Sequence, residues 1–267
     1  MEKNIKLVAV DIDGTFVRSD YTYDTLRFKK VMELMKEAGC RFVVASGNQY
    51  YQLRDLFPGY ENEIAFVAEN GAFVKEKDEL VFAASIQKEI VKETIDIIRE
   101  YPEIQNVLCG VKSAYCERGS VDQKFFDLTG IYYHRLEWTD DFKMVDDQIL
   151  KFAPTVPEKK TYFYYDMFKE RLSGRLEAVT SGHGSIDLIV PGCHKASGLR
   201  RLAKRWGISS EQCVAFGDGG NDIEMLQFCK HSYAMANASD DVKKVAGHVC
   251  PSNDEAGVFV VLERLFG

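Results

Sequence analysis

The 267-residue sequence lacks any apolar run near the roughly 18 residues that a transmembrane helix needs. It also lacks the N-terminal pattern of a signal peptide, so we expect a cytoplasmic protein. Basic residues are not in excess, because 34 Lys and Arg stand against 41 Asp and Glu, a formal net charge of −7. A mildly acidic chain has no electrostatic footprint for nucleic acid or an anionic membrane, and we expect neither partner.

The cysteines include no CxxC pair, and their number, seven, is odd. Several lie in apolar runs. This pattern favours free, buried thiols in a reducing compartment over disulfides or a zinc site.

Strand-like and helical segments alternate at both ends of the chain. Leu7–Val10 is a continuous apolar run, typical of a strand buried on both faces. Helical spacing of apolar residues then predicts a helix over 24–38, and similar alternation returns after residue 191. The pattern predicts an α/β fold whose parallel sheet is covered by helices on both faces.

The middle of the chain, residues 84–190, follows a different pattern. Two strand candidates flank Ser181–Gly184, a link with the chemistry of a β-hairpin, and a hairpin implies antiparallel pairing. We therefore predict an α+β domain inserted between two parts of the α/β domain, residues 1–83 and 191–267. The aromatic run Tyr162–Tyr165 lies in a predicted helix of the insertion, and we assign it to that domain's core.

Two aspartates directly follow the first predicted strand, in Asp11-Ile12-Asp13-Gly14-Thr15. Side chains two apart on an extended chain point the same way, so Ile12 can remain in the core while Asp11 and Asp13 face a site. Two carboxylates this close repel each other unless a cation lies between them, and Mg²⁺ favours such oxygen ligands. Taken alone, the segment is equally compatible with a solvated acidic turn.

Three further segments lie near predicted strand ends or helix starts. Ser46-Gly47-Asn48 offers a hydroxyl and backbone N–H groups that suit an anion, or a simple helix cap. Lys195 opposes the dipole of its predicted helix unless an anion binds there, although an exposed lysine is the alternative. Gly217–Asp222 combines three glycines, two carboxylates and an amide, which suits a metal and close approach of the backbone to a ligand.

The four segments together indicate one site. Ligands of open α/β sheets bind at the carboxyl ends of the strands, and these segments supply carboxylates, a hydroxyl and a cation there. Those groups are what phosphoryl transfer requires, because its catalysis depends mainly on positioning and charge stabilisation.

The segments resemble, in order, the four motifs of the haloacid dehalogenase-like (HAD) hydrolases. The long insertion resembles that of the C2-capped branch, and Glu69-Asn70-Gly71-Ala72 resembles its Cof-type members. The resemblance spans essentially the whole chain and implies a Rossmann-like parallel sheet with an inserted α+β C2-type cap domain. Residues 44–52 are similar to a subgroup of bacterial sugar phosphatases, the SupH/YbiV type. Asn48 departs from the Arg that many Cof-type members carry.

This resemblance implies a Mg²⁺-dependent phosphatase of small phosphorylated sugars. Asp11 would attack phosphorus and form an aspartyl phosphate, and Asp13 would act as general acid and then general base. Mg²⁺ would be held by Asp11, the Asp13 backbone carbonyl and Asp218. Asp222 would complete the metal site by orienting Lys195 or a metal-bound water.

The resemblance also implies groups that bind the substrate. The phosphate ligands would be Ser46, Gly47, Lys195 and Asn221. Candidate sugar contacts are Asn48, His183, Tyr50 and Tyr51, the tyrosines being packing residues in the alternative interpretation. The inserted domain would act as a lid over the site.

Two other functions remain open at this stage. A phosphomutase of related architecture would transfer the phosphoryl group to a sugar instead of water. A non-catalytic sensor would bind the sugar phosphate without turnover, although the presence of Asp11 and Asp13 argues against it. The sequence does not predict the oligomeric state.

Overall fold

The computed structural model describes residues 4–182 and 184–267. Its strands, numbered in chain order, are β1 (Leu7–Val10), β2 (Arg41–Ala45), β3 (Ile64–Ala68), β4 (Phe73–Glu76), β5 (Glu79–Ala83), β6 (Gln105–Gly110), β7 (Ala114–Glu117), β8 (Leu136–Thr139), β9 (Ile149–Thr155), β10 (Glu177–Gly182), β11 (Ser185–Ile189), β12 (Cys213–Gly217), β13 (His231–Met235) and β14 (His248–Cys250). Its α-helices are α1 (Thr25–Glu37), α2 (Tyr50–Leu56), α3 (Lys88–Arg99), α4 (Gln123–Thr129), α5 (Thr161–Arg171), α6 (Lys195–Trp206), α7 (Ile223–Phe228), α8 (Asp240–Val245) and α9 (Gly257–Phe266).

The chain divides into two compact units. The core unit comprises Met1–Gly47, Phe57–Val81 and His194–Gly267, and the inserted unit comprises Asn48–Leu56 and Phe82–Cys193. This division differs from the sequence prediction at residues 48–56, which the prediction placed in the α/β domain.

The physical reason for this difference is a set of contacts that α2 and the residues before it make inside the inserted unit. Gln49 and the Arg135 backbone exchange two hydrogen bonds of 2.8 and 2.9 Å. The ring nitrogen Nδ1 of His134 lies 2.8 Å from Asp55 Oδ2.

The core unit is built on a mixed, mostly parallel sheet. Among the described residues, the strand order is β14-β13-β12-β1-β2-β3-β4-β5. The strands from β14 to β3 pair in parallel, whereas β3 and β4 pair antiparallel. Every residue of β1, β3 and β12 is buried, as their continuous apolar sequences predict. The predicted α/β fold is confirmed.

The sequence pattern does not predict β4, β5 or β14. β5 is the partly exposed edge strand, and β4, between β3 and β5, has only four residues; charged residues interrupt the apolar pattern of both strands. β14 has only three residues at the opposite edge. Edge strands bury too little apolar surface to leave a clear periodicity, so their register depends on the neighbouring strand.

The inserted unit contains a second sheet. Its order within the described residues is β10-β11-β9-β6-β7-β8, and all its pairs except β7–β8 are antiparallel. Alternate residues of β6 enter two apolar clusters on opposite faces, Leu108 in one and Val107 in the other. The predicted β10–β11 hairpin and α+β character of the insertion agree with this architecture.

The aromatic run on α5 corrects one expectation. Tyr164 is buried and packs in the cluster that contains Leu108, but Tyr162 and Phe163 are 72% and 61% exposed. With 3.6 residues per turn, α5 buries the face that carries Thr161, Tyr164 and Phe168. Tyr162 and Phe163 face outward, whereas Tyr165 is partly buried against the same cluster. Assigning the whole run to the core was therefore wrong.

None of the seven cysteines, all of which lie within the described residues, forms a disulfide, and all have buried side chains. Burial raises the pKa of Cys40 and Cys116 to about 12, which keeps both thiols protonated at neutral pH. Across the part of the chain that the structure describes, no helix combines the length and apolar character that crossing a membrane requires.

Candidate active site

The carboxyl ends of four neighbouring parallel strands lie side by side in the core sheet, and each strand is followed by a polar turn. Asp11 follows β1, Ser46 follows β2, Asn70 lies two residues beyond β3, and Asp218 follows β12. The backbone N–H of Asp11 donates to the Phe216 carbonyl at 3.1 Å, which ties the first and last of these turns together. The predicted convergence of distant motifs is present in the structure.

Helix α6 brings Lys195 to this edge. His194 caps the helix by accepting a 3.1 Å hydrogen bond from the Ser197 backbone N–H. A Cβ on Gly198 would lie 2.4 Å from Val67 Cγ1, so only glycine lets α6 approach β3 this closely. The Lys195 side chain is only 1% exposed, and the alternative of a solvent-exposed lysine is therefore wrong.

Lys195 bridges two buried carboxylates. Its Nζ lies 2.6 Å from Asp11 Oδ1 and 2.7 Å from Asp222 Oδ1. Both carboxylates are nearly inaccessible to solvent, so these charge-assisted hydrogen bonds are short and only weakly screened. The arrangement fixes the Asp11 carboxylate at the end of β1.

Asp222 also organises the turn that carries Asp218. Its second carboxylate oxygen, Oδ2, accepts hydrogen bonds from the backbone N–H groups of Asp218 and Gly219, at 3.0 and 2.9 Å. A Cβ on Gly217 would lie 2.5 Å from Asp222 Cβ, so glycine is required there for the acid to fit. Both Asp222 oxygens are thus engaged by protein groups, which suits a positioning role.

The turn after β1 holds Asp218 from the other side. Thr15 Oγ1 donates to Asp218 Oδ1 at 2.7 Å. Gly14 has a φ of +71°, and a Cβ there would lie 2.3 Å from Asp218 Oδ2. Asn237 Nδ2 donates to the Gly14 carbonyl at 2.8 Å. Sequence reasoning assigned no role to Thr15 or Asn237; Thr15 was visible within the DxDGT segment, whereas Asn237 has no sequence signal.

Burial and neighbouring charges shift the pKa values of the acids and of the lysine in this cluster. Burial and then the repulsion of Asp222 raise the pKa of Asp11 well above its ordinary value, against the attraction of Lys195. Burial also raises the pKa of Asp218, although the hydrogen bond from Thr15 opposes it. Burial alone would lower the pKa of Lys195, but attraction by Asp11 and Asp222 outweighs it and raises that pKa.

These acids form a group that could hold a metal ion. One ligand oxygen each from Asp11, Asp218 and Asp222 lie within 4.8 Å of one another. Three carboxylates share the single ammonium of Lys195, so a cation would relieve the remaining repulsion. An all-oxygen donor set fits a hard divalent cation such as Mg²⁺.

Ser46 and Gly47 lie in a turn rather than at a helix start, because α2 begins at Tyr50. The structure places them against Asn70, whose backbone N–H donates to the Ser46 carbonyl at 3.1 Å. Asn221 joins the same group, and its Nδ2 donates to Asn70 Oδ1 at 3.2 Å. The segment ends two residues before α2, at the expected carboxyl ends of the strands, and its anion-binding role stays a prediction.

The remaining predicted residues are placed as follows. Asp13 is partly exposed in the turn after β1, and Ile12 between the two acids is buried as predicted. Asn48 is the first residue of the stretch assigned to the inserted unit. His183 lies outside the described residues, and its predicted sugar contact stays a prediction, as does that of Asn48.

Tyr50 and Tyr51 make packing contacts within the inserted unit. Tyr50 is buried, and the two rings meet edge to face with their centroids 5.2 Å apart. The Tyr51 hydroxyl donates to the Val111 carbonyl at 3.3 Å, and the Arg135 guanidinium lies 3.8 Å from the centre of its ring. These contacts agree with the packing interpretation of both residues.

A carboxylate cluster at this edge of a Rossmann-like sheet defines a class of hydrolase. A family model of haloacid dehalogenase-like hydrolases matches residues 8–262 of the chain. The chain belongs to this family, which confirms both the resemblance seen in the sequence and the predicted fold.

Three relatives show how far the similarity extends. The 5-amino-6-(5-phospho-D-ribitylamino)uracil phosphatase YbjI of Escherichia coli K12 is 42% identical over 262 residues, which cover 98% of this chain and 96% of that protein. The phosphatase YitU of Bacillus subtilis, which carries the same substrate name, is 26% identical, with 100% and 99% covered. The crystal structure of SMU.1108c from Streptococcus mutans UA159 superposes with a TM-score of 0.91 at 38% identity, covering 97% and 98%.

Proposed function

We propose that the protein is a Mg²⁺-dependent phosphomonoesterase in which Asp11 is the nucleophile. The observation that carries this proposal is the buried Asp11–Lys195–Asp222 network at the carboxyl ends of the core strands. A carboxylate held by an ammonium is oriented for attack, and the same ammonium can stabilise negative charge on a transferring phosphoryl group.

Each of these residues has its own role in the proposed hydrolysis. The Asp11 carboxylate attacks phosphorus, and the bond from phosphorus to the leaving oxygen breaks. Asp13 donates a proton to the leaving alcohol and then takes one from the water that cleaves the aspartyl phosphate, which releases inorganic phosphate. Ser46, the Gly47 N–H, Lys195 and Asn221 bind the phosphoryl oxygens, and Asp222 positions Lys195 and the Asp218 turn.

Asp11, the Asp13 backbone carbonyl and Asp218 would hold the Mg²⁺ ion. When bound, the ion supplies positive charge that offsets the repulsion between the carboxylate nucleophile and the phosphate. The support for this assignment is the oxygen-only donor set and the excess of acids over cations described above.

For the substrate, we propose a primary phosphate on a short polyol chain, as in phosphorylated sugars and sugar alcohols. The leading candidate is 5-amino-6-(5-phospho-D-ribitylamino)uracil, because two relatives that match nearly the whole chain carry that name. This compound and the simple sugar phosphates share the phosphate ester that reacts. They differ because the compound carries an aminouracil ring at the other end of its ribityl chain.

The test is release of inorganic phosphate from this compound and from a panel of hexose and pentose phosphates, with Mg²⁺ or with a chelator. We expect turnover only with Mg²⁺ and the highest kcat/KM on the ribityl compound. Asp11→Asn should abolish turnover, and Asp13→Asn should slow it by about 10²–10⁴-fold. An Asp11→Asn variant as active as the parent would refute the nucleophile assignment.

The same assay separates the alternatives. An isomerised sugar phosphate without free phosphate would indicate a mutase. Calorimetric binding of a sugar phosphate with no turnover on any panel member would indicate a sensor. A matched control is Asp20→Asn, which removes an exposed carboxylate from the loop before α1 and should leave kcat/KM unchanged.

A further inference from the structure

Three consecutive residues after β3 occupy the left-handed backbone region. The φ angles are 51° at Glu69, 53° at Asn70 and 86° at Gly71. Glycine adopts this conformation without strain, and Asn tolerates it better than most residues, but two successive non-glycine residues there are costly. Strain of this kind persists only where the surrounding structure enforces it, and it concentrates at functional sites.

The Asn70 turn contacts three of the four motif segments of the core unit. The Asn70 side chain is buried, accepts the 3.2 Å hydrogen bond from Asn221, and faces Gly47 so closely that a Cβ there would lie 3.1 Å from Asn70 Oδ1. Next to it, a Cβ on Gly71 would lie 2.3 Å from the carbonyl oxygen of His194, which caps the Lys195 helix.

We infer that Asn70 is a positioning residue for the phosphate-binding groups, a role that rests on the proposed function. Its side-chain carbonyl orients the Asn221 amide, and its backbone N–H and amide group hold the Ser46–Gly47 turn. The unusual backbone conformation aims one amide side chain at both segments, whereas an extended backbone after β3 would aim it elsewhere. Asn70 therefore acts on the substrate through Gly47 and Asn221.

The direct test is an Asn70→Gly variant. Glycine keeps the left-handed backbone without strain and removes only the side chain with its amide, so folding should be preserved. The readouts are KM, kcat and, by calorimetry on the protein with Mg²⁺, the dissociation constant of inorganic phosphate. We expect KM and the phosphate constant to rise roughly tenfold, with a smaller change in kcat and an unchanged melting temperature.

Lys77→Gly is the matched control. Lys77 also has a left-handed backbone, with a φ of 53°, but it is exposed in the turn between β4 and β5. A change to glycine there should leave KM and phosphate affinity unchanged. If Asn70→Gly changes phosphate affinity no more than Lys77→Gly does, the inference is wrong.

A second measurement tests the route through Asn221. The phosphate affinities of the wild type, Asn70→Gly, Asn221→Ala and the double variant form a double-mutant cycle. We expect the double variant to bind phosphate at most about twofold more weakly than Asn221→Ala does. Fully additive losses would contradict the positioning role.

Failure of the inference can be told apart from failure of the proposed function. A protein that hydrolyses no phosphomonoester but binds phosphate more weakly after Asn70→Gly refutes the function and supports the inference. A wild-type protein that binds no phosphate refutes the inference.

Discussion

The ammonium of Lys195 lies 2.6 Å from the carboxylate of Asp11, although the two residues are 184 positions apart in the chain. The pair is buried, and Asp222 completes it on the other side. Removing one partner from a buried charge network leaves the other charges uncompensated, which costs more than the network itself contributes. Lys195 therefore has a structural role as well as its proposed catalytic one, and the two roles can be measured separately.

Lys195→Met should lower kcat by about 10²–10³-fold through loss of charge stabilisation. In metal-free protein it should also lower the free energy of unfolding by about 3–5 kcal/mol, because three acids then lack their cation. Mg²⁺ should raise the melting temperature of the variant more than that of the wild type, since the ion replaces part of the lost charge. Thermal unfolding with Mg²⁺ and with chelator measures this difference.

Lys204→Met is the control on the same helix, because Lys204 is exposed. It should change neither activity nor the response to Mg²⁺. A Lys195→Met protein that melts like the wild type without metal would contradict the argument from charge balance.

The positions of Asp11 and Asp218 were predictable because each is tied to a strong local pattern. Asp11 follows a fully apolar strand, and Asp218 lies in a turn whose glycines are visible in the sequence. The order of parallel strands then places these turns at one edge, whatever the loops between them do. Asn237, by contrast, reaches Gly14 across 223 positions from a loop without any periodic pattern. Such a contact depends on the packed fold and leaves no local signal.

The glycines of the Gly217–Asp222 segment are not equivalent. A Cβ on Gly217 would lie 2.5 Å from Cβ of Asp222, which is buried and bonded to Lys195, whereas a Cβ on Gly220 would meet no heavy atom within 4 Å. Gly217→Ala should therefore displace Asp222, lower stability by about 1–3 kcal/mol and reduce kcat/KM at least tenfold. Gly220→Ala should change stability by no more than about 0.5 kcal/mol. Equal effects in chemical denaturation and steady-state kinetics would contradict this distinction.

The inserted unit has its own pH response through Glu103. Hydrogen bonds from the Tyr164 hydroxyl, the backbone and Lys160 lower the pKa of Glu103 from 4.5 to about 2. Because the folded pKa is depressed, the stability it contributes is present above about pH 4.5 and is lost as the pH falls toward 2. The stability difference between wild type and Glu103→Gln should therefore shrink over that interval.

The cause of the shift can be tested separately by NMR titration of the Glu103 carboxyl group. Tyr164→Phe removes the largest contribution and should return the pKa of Glu103 toward 4.5. Tyr165→Phe, one position along α5, serves as the control and should leave that pKa depressed. A Glu103 pKa that does not change in Tyr164→Phe would show that the hydroxyl is not the cause.

Asn106 on β6 is buried at a position where an apolar residue would raise the free energy of unfolding. The residue is 2% exposed, and neither atom of its side-chain amide has a hydrogen-bond partner among the residues that the structure describes. Leu108, two positions along the same face, belongs to the apolar cluster that α3 and α5 cover.

A buried amide without partners costs roughly 1–3 kcal/mol. Asn106→Leu keeps the number and branching of the side-chain heavy atoms and should raise the free energy of unfolding by about 1 kcal/mol in urea denaturation, without changing kcat/KM. Asn106→Asp places a charge in the same position and should lower that free energy. If Asn106→Leu is instead the less stable protein, the amide makes a bond that stabilises the native state, and the argument from its burial is wrong.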